Sequence, residues 1–235
     1  MPKGKSIGLI SSVPFESSLL LGEMKSRKTL SPSISTGRVG GARVVHITSG
    51  MGIANAAWAA TVLCERFAPS EAVVFGVGGA YPGSGLATGD VALAEREVYA
   101  DAGVLTEDGL KGLEEIGIEL LRKGGRKYFN EFPMDGRLLR RASRLLEGAG
   151  AGVFATVNAS TGTMDRASEI VERYGAVCEN MEGAAVAQVC KRYGVPVLEL
   201  RGISNVIPER DRGKWALELA SEECQRALIR LAGVS

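Results

Sequence analysis

Glu16, in Val13-Pro14-Phe15-Glu16-Ser17, and Glu182, in Asn180-Met181-Glu182-Gly183-Ala184-Ala185, are the carboxylates best placed to act on a bond. Each opens a segment that reads as a helix. Pro14 suits a first helical turn, where its missing N–H would have no partner. The small residues at 183–185 let a helix start pack tightly, so that Met181 and Glu182 project beside a cavity. A Glu in a first turn has an ordinary explanation as well, because the helix dipole favours it. A third polar group, Asn205, closes Arg201-Gly202-Ile203-Ser204-Asn205 after an apolar run, and a Ser-Asn pair there is equally turn chemistry. Together, two carboxylates and an amide suit cleavage through a cationic transition state. One carboxylate activates water and the other stabilises the developing positive charge.

The elements that must position these groups alternate between strand and helix. Strands are expected at 6–10, 34–39, 43–48, 72–77, 90–99, 153–157, 176–179 and 195–201, with a hairpin turn at Gly40-Gly41. Helices are expected at 14–21, 53–67, 136–147, 165–174, 182–193 and 214–232; the stretch 105–135 is mixed and glycine-rich. The run Ala72–Val77 is apolar throughout, as for a strand covered on both faces. This pattern predicts an α/β protein with a three-layer α/β/α arrangement around a central sheet, in one domain over 1–235. Functional residues should gather at strand ends. The segment Gly76-Val77-Gly78-Gly79-Ala80-Tyr81-Pro82-Gly83 tempts a dinucleotide reading, but Tyr81 stands where the third glycine belongs and no helix follows. What survives is a glycine-rich strand end that lets backbone approach a flat ligand, or simply a tight turn.

Composition narrows the function. Lys+Arg 28 against Asp+Glu 27 leaves a net charge of +1, so neither nucleic acid nor an anionic membrane is the expected partner. Gly accounts for 31 of 235 residues, well above the roughly 7% average. The four cysteines, Cys64, Cys178, Cys190 and Cys224, form no CxxC pair and read as small core residues. His46 is the single histidine, so neither a metal site nor a Ser-His triad is expected; no cofactor is expected either. The N-terminal segment is not a convincing signal peptide, and no apolar run approaches the ~18 residues of a membrane span. Free thiols and the lack of an export signal point to the cytoplasm.

The ordered combination of Ser49-Gly50-Met51-Gly52, GVGGAYPGSGLATGDV (76–91), NMEGAAVAQVC (180–190) and RGISN (201–205) resembles the nucleoside phosphorylase/nucleosidase superfamily, over about residues 7–215. The stretches GGAYPGSGL, YADAGV and ENMEGAAVAQVCKRYGVPVLELRGISN are similar to the futalosine hydrolase family within it. The resemblance implies a mixed central sheet and hydrolysis of the N-glycosidic bond of futalosine, in menaquinone biosynthesis, releasing hypoxanthine and dehypoxanthine futalosine. It implies Glu16 as the base that activates water and Met181 with Glu182 as the ribose holders. Asn205 and Ser204 would read the purine. Met51, Gly78, Gly79, Thr163 and Met164 would line the site, and Trp215 would cover it. It implies a homodimer or larger homo-oligomer, with the neighbour's Tyr128–Phe132 segment closing the 5′ side.

Three departures from the superfamily pattern refine this expectation. Adenosine-type nucleosidases carry Asp where Asn205 stands. Asn offers a carbonyl acceptor and an NH₂ donor, which suit a 6-oxopurine over adenine. Relatives often carry Glu immediately before the Met, where this chain has Asn180, with Glu179 one residue earlier. Phosphorylases carry a phosphate-binding Arg near the first strand, whereas SSVPFES has no basic residue, so water is the expected nucleophile. The carboxylate of futalosine needs a partner, for which Arg210, Arg212 and Lys214 are candidates. The alternatives are a 6-oxopurine nucleoside phosphorylase, a methylthioadenosine/S-adenosylhomocysteine nucleosidase and a non-catalytic nucleoside-binding protein. Two retained carboxylates argue against the last, because a binder needs no base.

Overall fold

The structure, a computed structural model, describes residues 6–209 and 211–233. The chain begins with β1 (Ser6–Ser11), a 3-10 turn at Pro14–Ser17 and α1 (Ser18–Glu23). A meander follows: β2 (Lys25–Ser31), β3 (Ile34–Val39) and β4 (Ala42–Thr48), leading to α2 (Ile53–Phe67) and β5 (Glu71–Ala80). Next come β6 (Val91–Tyr99), β7 (Gly103–Thr106), β8 (Gly109–Gly112), β9 (Leu121–Lys123), β10 (Arg126–Tyr128) and β11 (Glu131–Pro133). The last part holds α3 (Gly136–Leu145), β12 (Gly150–Thr156), α4 (Met164–Tyr174), β13 (Ala176–Asn180), α5 (Gly183–Tyr193), β14 (Val197–Val206) and α6 (Leu217–Gly233).

Ten of these strands form one mixed sheet, running β11-β6-β12-β13-β5-β1-β4-β3-β2 with β14 paired to both β5 and β6. That double pairing has a consequence the alternation of elements does not reveal. Strands β5, β14, β6, β12 and β13 close into a ring. Helices α2 and α5 cover one face of the sheet and α1, α3 and α6 the other, which makes the expected three layers. Ala56, Ala59 and Ala60 of α2 and Ala184, Ala185 and Ala187 of α5 are buried, and side chains this small let the two helices lie close. Leu63 on α2 fills the groove above Gly8 of β1, where a Cβ would meet its Cδ2 at 2.4 Å. Burying such a side chain is worth about 1.5–3 kcal/mol. All four cysteines are buried and unpaired in this core. His46 is buried as well, 3.0 Å from Ser11 Oγ, and burial lowers its pKa to about 4. Among the described residues no helix is long and apolar enough to cross a membrane.

Several expected boundaries shift, and two of the shifts matter for the site. β5 continues through Gly76, Gly78 and Gly79 to Ala80, so these glycines lie in extended backbone rather than a turn. β14 continues to Val206, so Ser204 and Asn205 sit on the strand, just past a register shift between Ile203 and Asn205. A bulge of this kind re-aims side chains. The helix expected from Lys214 begins only at Leu217, after a separate 3-10 turn at Arg212–Lys214. Tyr128 and Phe132 point inward and stack on each other at 5.7 Å, with Tyr99 edge-on to Phe132. Their rings belong to this chain's own core.

Candidate active site

A cavity of about 600 Å³ opens where the 3-10 turn, the N-terminal ends of α2 and α5, and strands β5 and β14 meet. Glu16, Glu182 and Asn205 all line it, as do Met51, Gly78, Gly79, Met181, Ser204 and Trp215. The resemblance implied these nine positions, spread over 200 residues of chain, as one site, and the fold gathers them. Thr163 and Met164 are not among the lining residues. Thr163 caps α4, accepting from Arg166 N–H, and Met164 is exposed on the first turn. Asn158 and Ser160, from the loop just before them, line the cavity in their place.

Glu16 is held by three backbone amides. Its Oε2 accepts from Ser12 N–H at 2.9 Å and Val13 N–H at 3.1 Å, and Oε1 accepts from Val77 N–H at 2.9 Å. Oε1 thus keeps a lone pair for a water proton. The glycine of Gly76 is what makes room: a Cβ there would lie 2.4 Å from Glu16 Oε1. The tract therefore admits a protein carboxylate at Gly76, while Gly78 and Gly79 face the cavity. Burial raises the Glu16 pKa, opposed by the Arg201 charge and the amides. A buried carboxylate with a raised pKa is a better proton acceptor than an exposed one.

Glu182 enters from the start of α5. Its Oε1 accepts from Gly52 N–H at 3.0 Å, at the start of α2, and its Oε2 accepts from Arg201 Nη1 at 3.3 Å. Arg201 is fully buried and was missed as a working part of the site. Two charged residues, Glu199 and Arg201, in the otherwise apolar run VPVLELR are its visible signal. Its guanidinium also donates to Val77 O at 3.3 Å and Asn180 Oδ1 at 3.4 Å. Asn180 Oδ1 in turn accepts from Glu182 N–H at 2.9 Å and Gly183 N–H at 2.7 Å, so Asn180 caps α5. Glu179, also lining the cavity, accepts from Tyr81 Oη at 2.7 Å and Thr161 N–H at 3.0 Å.

At the far wall, Ser204 Oγ donates to Asn205 Oδ1 at 2.8 Å. Ser204 Oγ also lies 3.1 Å from Gly78 O, and its one proton serves the shorter contact, so Asn205 Oδ1 accepts and the NH₂ is the donor left for a ligand. Phe15, Ile207, Trp215 and Leu217 supply apolar wall, and Trp215 Nε1 donates to Glu209 O at 3.0 Å. Arg212 lines the cavity, whereas exposed Lys214 pairs with Glu209 at 3.0 Å. Arg210 lies outside the described residues.

Two buried carboxylates and a buried amide thus line one cavity. Residues 6–235 match the Phosphorylase superfamily, and the chain belongs to that family. It is 38% identical over 191 residues to a futalosine hydrolase of Thermus thermophilus, covering 81% of this chain and 82% of that one. It is 30% identical over 209 residues to a 5′-methylthioadenosine/S-adenosylhomocysteine nucleosidase of Oceanobacillus iheyensis, with 86% of both chains covered. The fold matches the Neisseria meningitidis 5′-methylthioadenosine/S-adenosylhomocysteine nucleosidase in complex with methylthio-immucillin-A, with a TM-score of 0.84. That match is at 23% identity and covers 99% of this chain and 100% of the other. These relatives are hydrolases of N-glycosyl compounds, and the chain is an enzyme of that class.

Proposed function

We propose that the protein hydrolyses the N-glycosidic bond of futalosine, releasing hypoxanthine and dehypoxanthine futalosine, a step of menaquinone biosynthesis. The observation that carries this reading is Asn205, with its Oδ1 held by Ser204, in the same cavity as amide-bound Glu16 and Arg201-bound Glu182. The relative named futalosine hydrolase supports it. In the reaction, Glu16 takes a proton from water as the water attacks the anomeric carbon. The C–N bond breaks, its electron pair leaves with the purine, N7 takes a proton from solvent water, and Glu16 then returns its proton to solvent. Glu182 accepts hydrogen bonds from the ribose hydroxyls and favours the oxocarbenium-like state. Asn205 NH₂ donates to O6, while Asn205 Oδ1 accepts from the N7 proton. The site works inside the cell in this reading, on a small nucleoside, without a cofactor and within a homo-oligomer.

The test is incubation with futalosine, inosine and methylthioadenosine, with and without phosphate, following free base. Futalosine should release hypoxanthine at a rate independent of phosphate. Phosphate-dependent release would make the protein a phosphorylase. Preferential release of adenine from methylthioadenosine would favour the activity of the Oceanobacillus relative instead.

Glu182→Gln should lower kcat by about 10- to 150-fold with little change in KM. A hydrogen bond to a charged group contributes roughly 1.5–3 kcal/mol, and about 1.4 kcal/mol is tenfold. Steady-state kinetics decide it: unchanged kcat with raised KM would confine Glu182 to ground-state binding.

Arg212 is the basic residue on the cavity rim and the proposed partner for the substrate carboxylate. Because an exposed ion pair contributes only about 0.2–1 kcal/mol, Arg212→Ala should raise KM for futalosine by roughly 1.4- to 5-fold. KM for inosine, which has no carboxylate, should stay at the wild-type value; equal shifts for both would reject the assignment.

A further inference from the structure

Two carboxyls inside the strand ring have no part in the proposed chemistry. Glu97 on β6 and Glu199 on β14 are each wholly buried. They interact electrostatically and converge beneath the start of α5. A Cβ on Gly183 would lie 2.2 Å from Glu97 Oε1 and 2.2 Å from Glu199 Oε2. Their surroundings differ. Glu97 accepts from neutral donors, Asn180 Nδ2 at 2.5 Å and Thr156 Oγ1 at 2.6 Å. Glu199 Oε1 accepts from Arg201 Nε at 2.8 Å, the shortest of the guanidinium's side-chain contacts. Glu199 Oε2 has no donor among the other described groups. Two ionised carboxylates this close and this dry repel strongly, and a single proton between them removes the repulsion.

We propose that Glu97 and Glu199 share one proton and act as a positioning pair, in which the neutral Glu97 carboxyl donates to Glu199 and ionised Glu199 anchors Arg201 for Glu182. The positions of the charges support the assignment. The titratable and charged groups that interact with Glu97 are Glu199 and Arg201 on β14, Cys178 on β13 and Tyr99 on β6 itself. Arg201 is the one cation among them, and it already serves Glu199 and Glu182. Burial and then the Glu199 charge hold the Glu97 carboxyl well above the usual carboxylate range. Asn180 extends the arrangement, because it donates to Glu97 while its Oδ1 caps α5 and accepts from Arg201. The proton thereby sets the position of Arg201 from one side and the start of α5 from the other. The positioning role rests on the proposed site, whereas the proton assignment does not.

Glu97→Gln and Glu199→Gln separate the two. In Glu97→Gln a permanent amide N–H takes over the donor role. Melting temperatures of wild type and Glu97→Gln are compared from about pH 5 to about pH 9, without substrate. In the wild type the folded-state pKa of Glu97 is raised, so its contribution to stability is full below about 4.5 and declines as pH rises towards the folded value. Gln does not titrate, so the Tm of Glu97→Gln should rise relative to wild type across that window. A Tm difference that stays constant with pH would mean that Glu97 is ionised in the folded protein, and would overturn the shared proton. Kinetics with the purine nucleoside the wild type hydrolyses test the positioning. Glu97→Gln should keep kcat within about 3-fold, while Glu199→Gln should lower it by about tenfold or more with KM nearly unchanged. Wild-type kcat in Glu199→Gln would overturn the anchoring role. If futalosine is not a substrate, the proposed function fails while the Tm comparison still decides the proton.

Discussion

Glu16→Gln is expected to bind substrate with near wild-type affinity and to lose about 10²- to 10⁴-fold in kcat, the usual contribution of a positioned general base. Gln is nearly isosteric, but its amide nitrogen carries hydrogens and cannot take a proton from water. One of the three amide contacts to Glu16 would then face an NH₂ group, so a thermal melt should accompany the kinetics to show that the fold persists. The same carboxylate predicts a pH profile. The base works only when ionised, and burial raises its pKa above the ordinary 4.5. Wild-type kcat/KM should therefore fall as pH drops through that raised value, with the acid limb above about 4.5. In Glu16→Gln the limb should vanish along with most of the rate. Near wild-type turnover by Glu16→Gln, or an acid limb that survives the substitution, would assign the base to another residue.

What could be read from the sequence follows from how strongly each segment advertises its burial. α2 was legible over its whole length because its alanines and Leu63 recur at helical spacing, and β4 because Val44, Val45, Ile47 and Thr48 make a short β-branched run. β2, Lys25–Ser31, went unseen because six of its seven residues are exposed at the sheet edge and carry no apolar period. The end of β14 was misread for a related reason. Gly202, Ser204 and Asn205 look like turn residues, yet Gly202 is there because a Cβ would lie 1.9 Å from Ala220 O on α6. Local chemistry pointed to a turn and tertiary packing made a strand. Glu16, Glu182 and Asn205 were legible as candidates because motif order carried them. The groups behind them were not. Arg201, Asn180, Glu97 and Glu199 become intelligible only once β14 closes the ring, because that closure puts residues distant in sequence around one guanidinium. Thr163 and Met164 show the opposite failure: a position inferred by resemblance fell just beyond the loop that supplies Asn158 and Ser160.

Asn205→Asp should swing base preference from 6-oxopurine towards 6-aminopurine nucleosides, by about 30-fold to about 10⁴-fold in the ratio of kcat/KM values. The physical basis is which way the amide faces. Ser204 Oγ donates to Asn205 Oδ1 at 2.8 Å, closer than to Gly78 O at 3.1 Å, and this arrangement turns the amide NH₂ towards the ligand. With Oδ1 held, the NH₂ meets the 6-position of the purine. A 6-oxo group accepts from it. A 6-amino group opposes donor to donor, leaving a buried polar group unpaired at a cost of about 1–3 kcal/mol. Aspartate reverses the match, because a carboxylate still accepts from Ser204 while its other oxygen accepts from a 6-amine and repels a 6-oxo group. The two penalties act in opposite directions, so they add in the ratio to roughly 2–6 kcal/mol, which at about 1.4 kcal/mol per decade is the stated swing. Sites that read a polar group can discriminate this strongly when a mismatch strands the protein's own donor. The measurement is kcat/KM for futalosine and its 6-amino counterpart with both proteins. A ratio unchanged by Asn205→Asp would mean that the purine edge is read elsewhere. It would also remove the reason for preferring a 6-oxopurine over the adenine nucleosides named for the Oceanobacillus and Neisseria relatives.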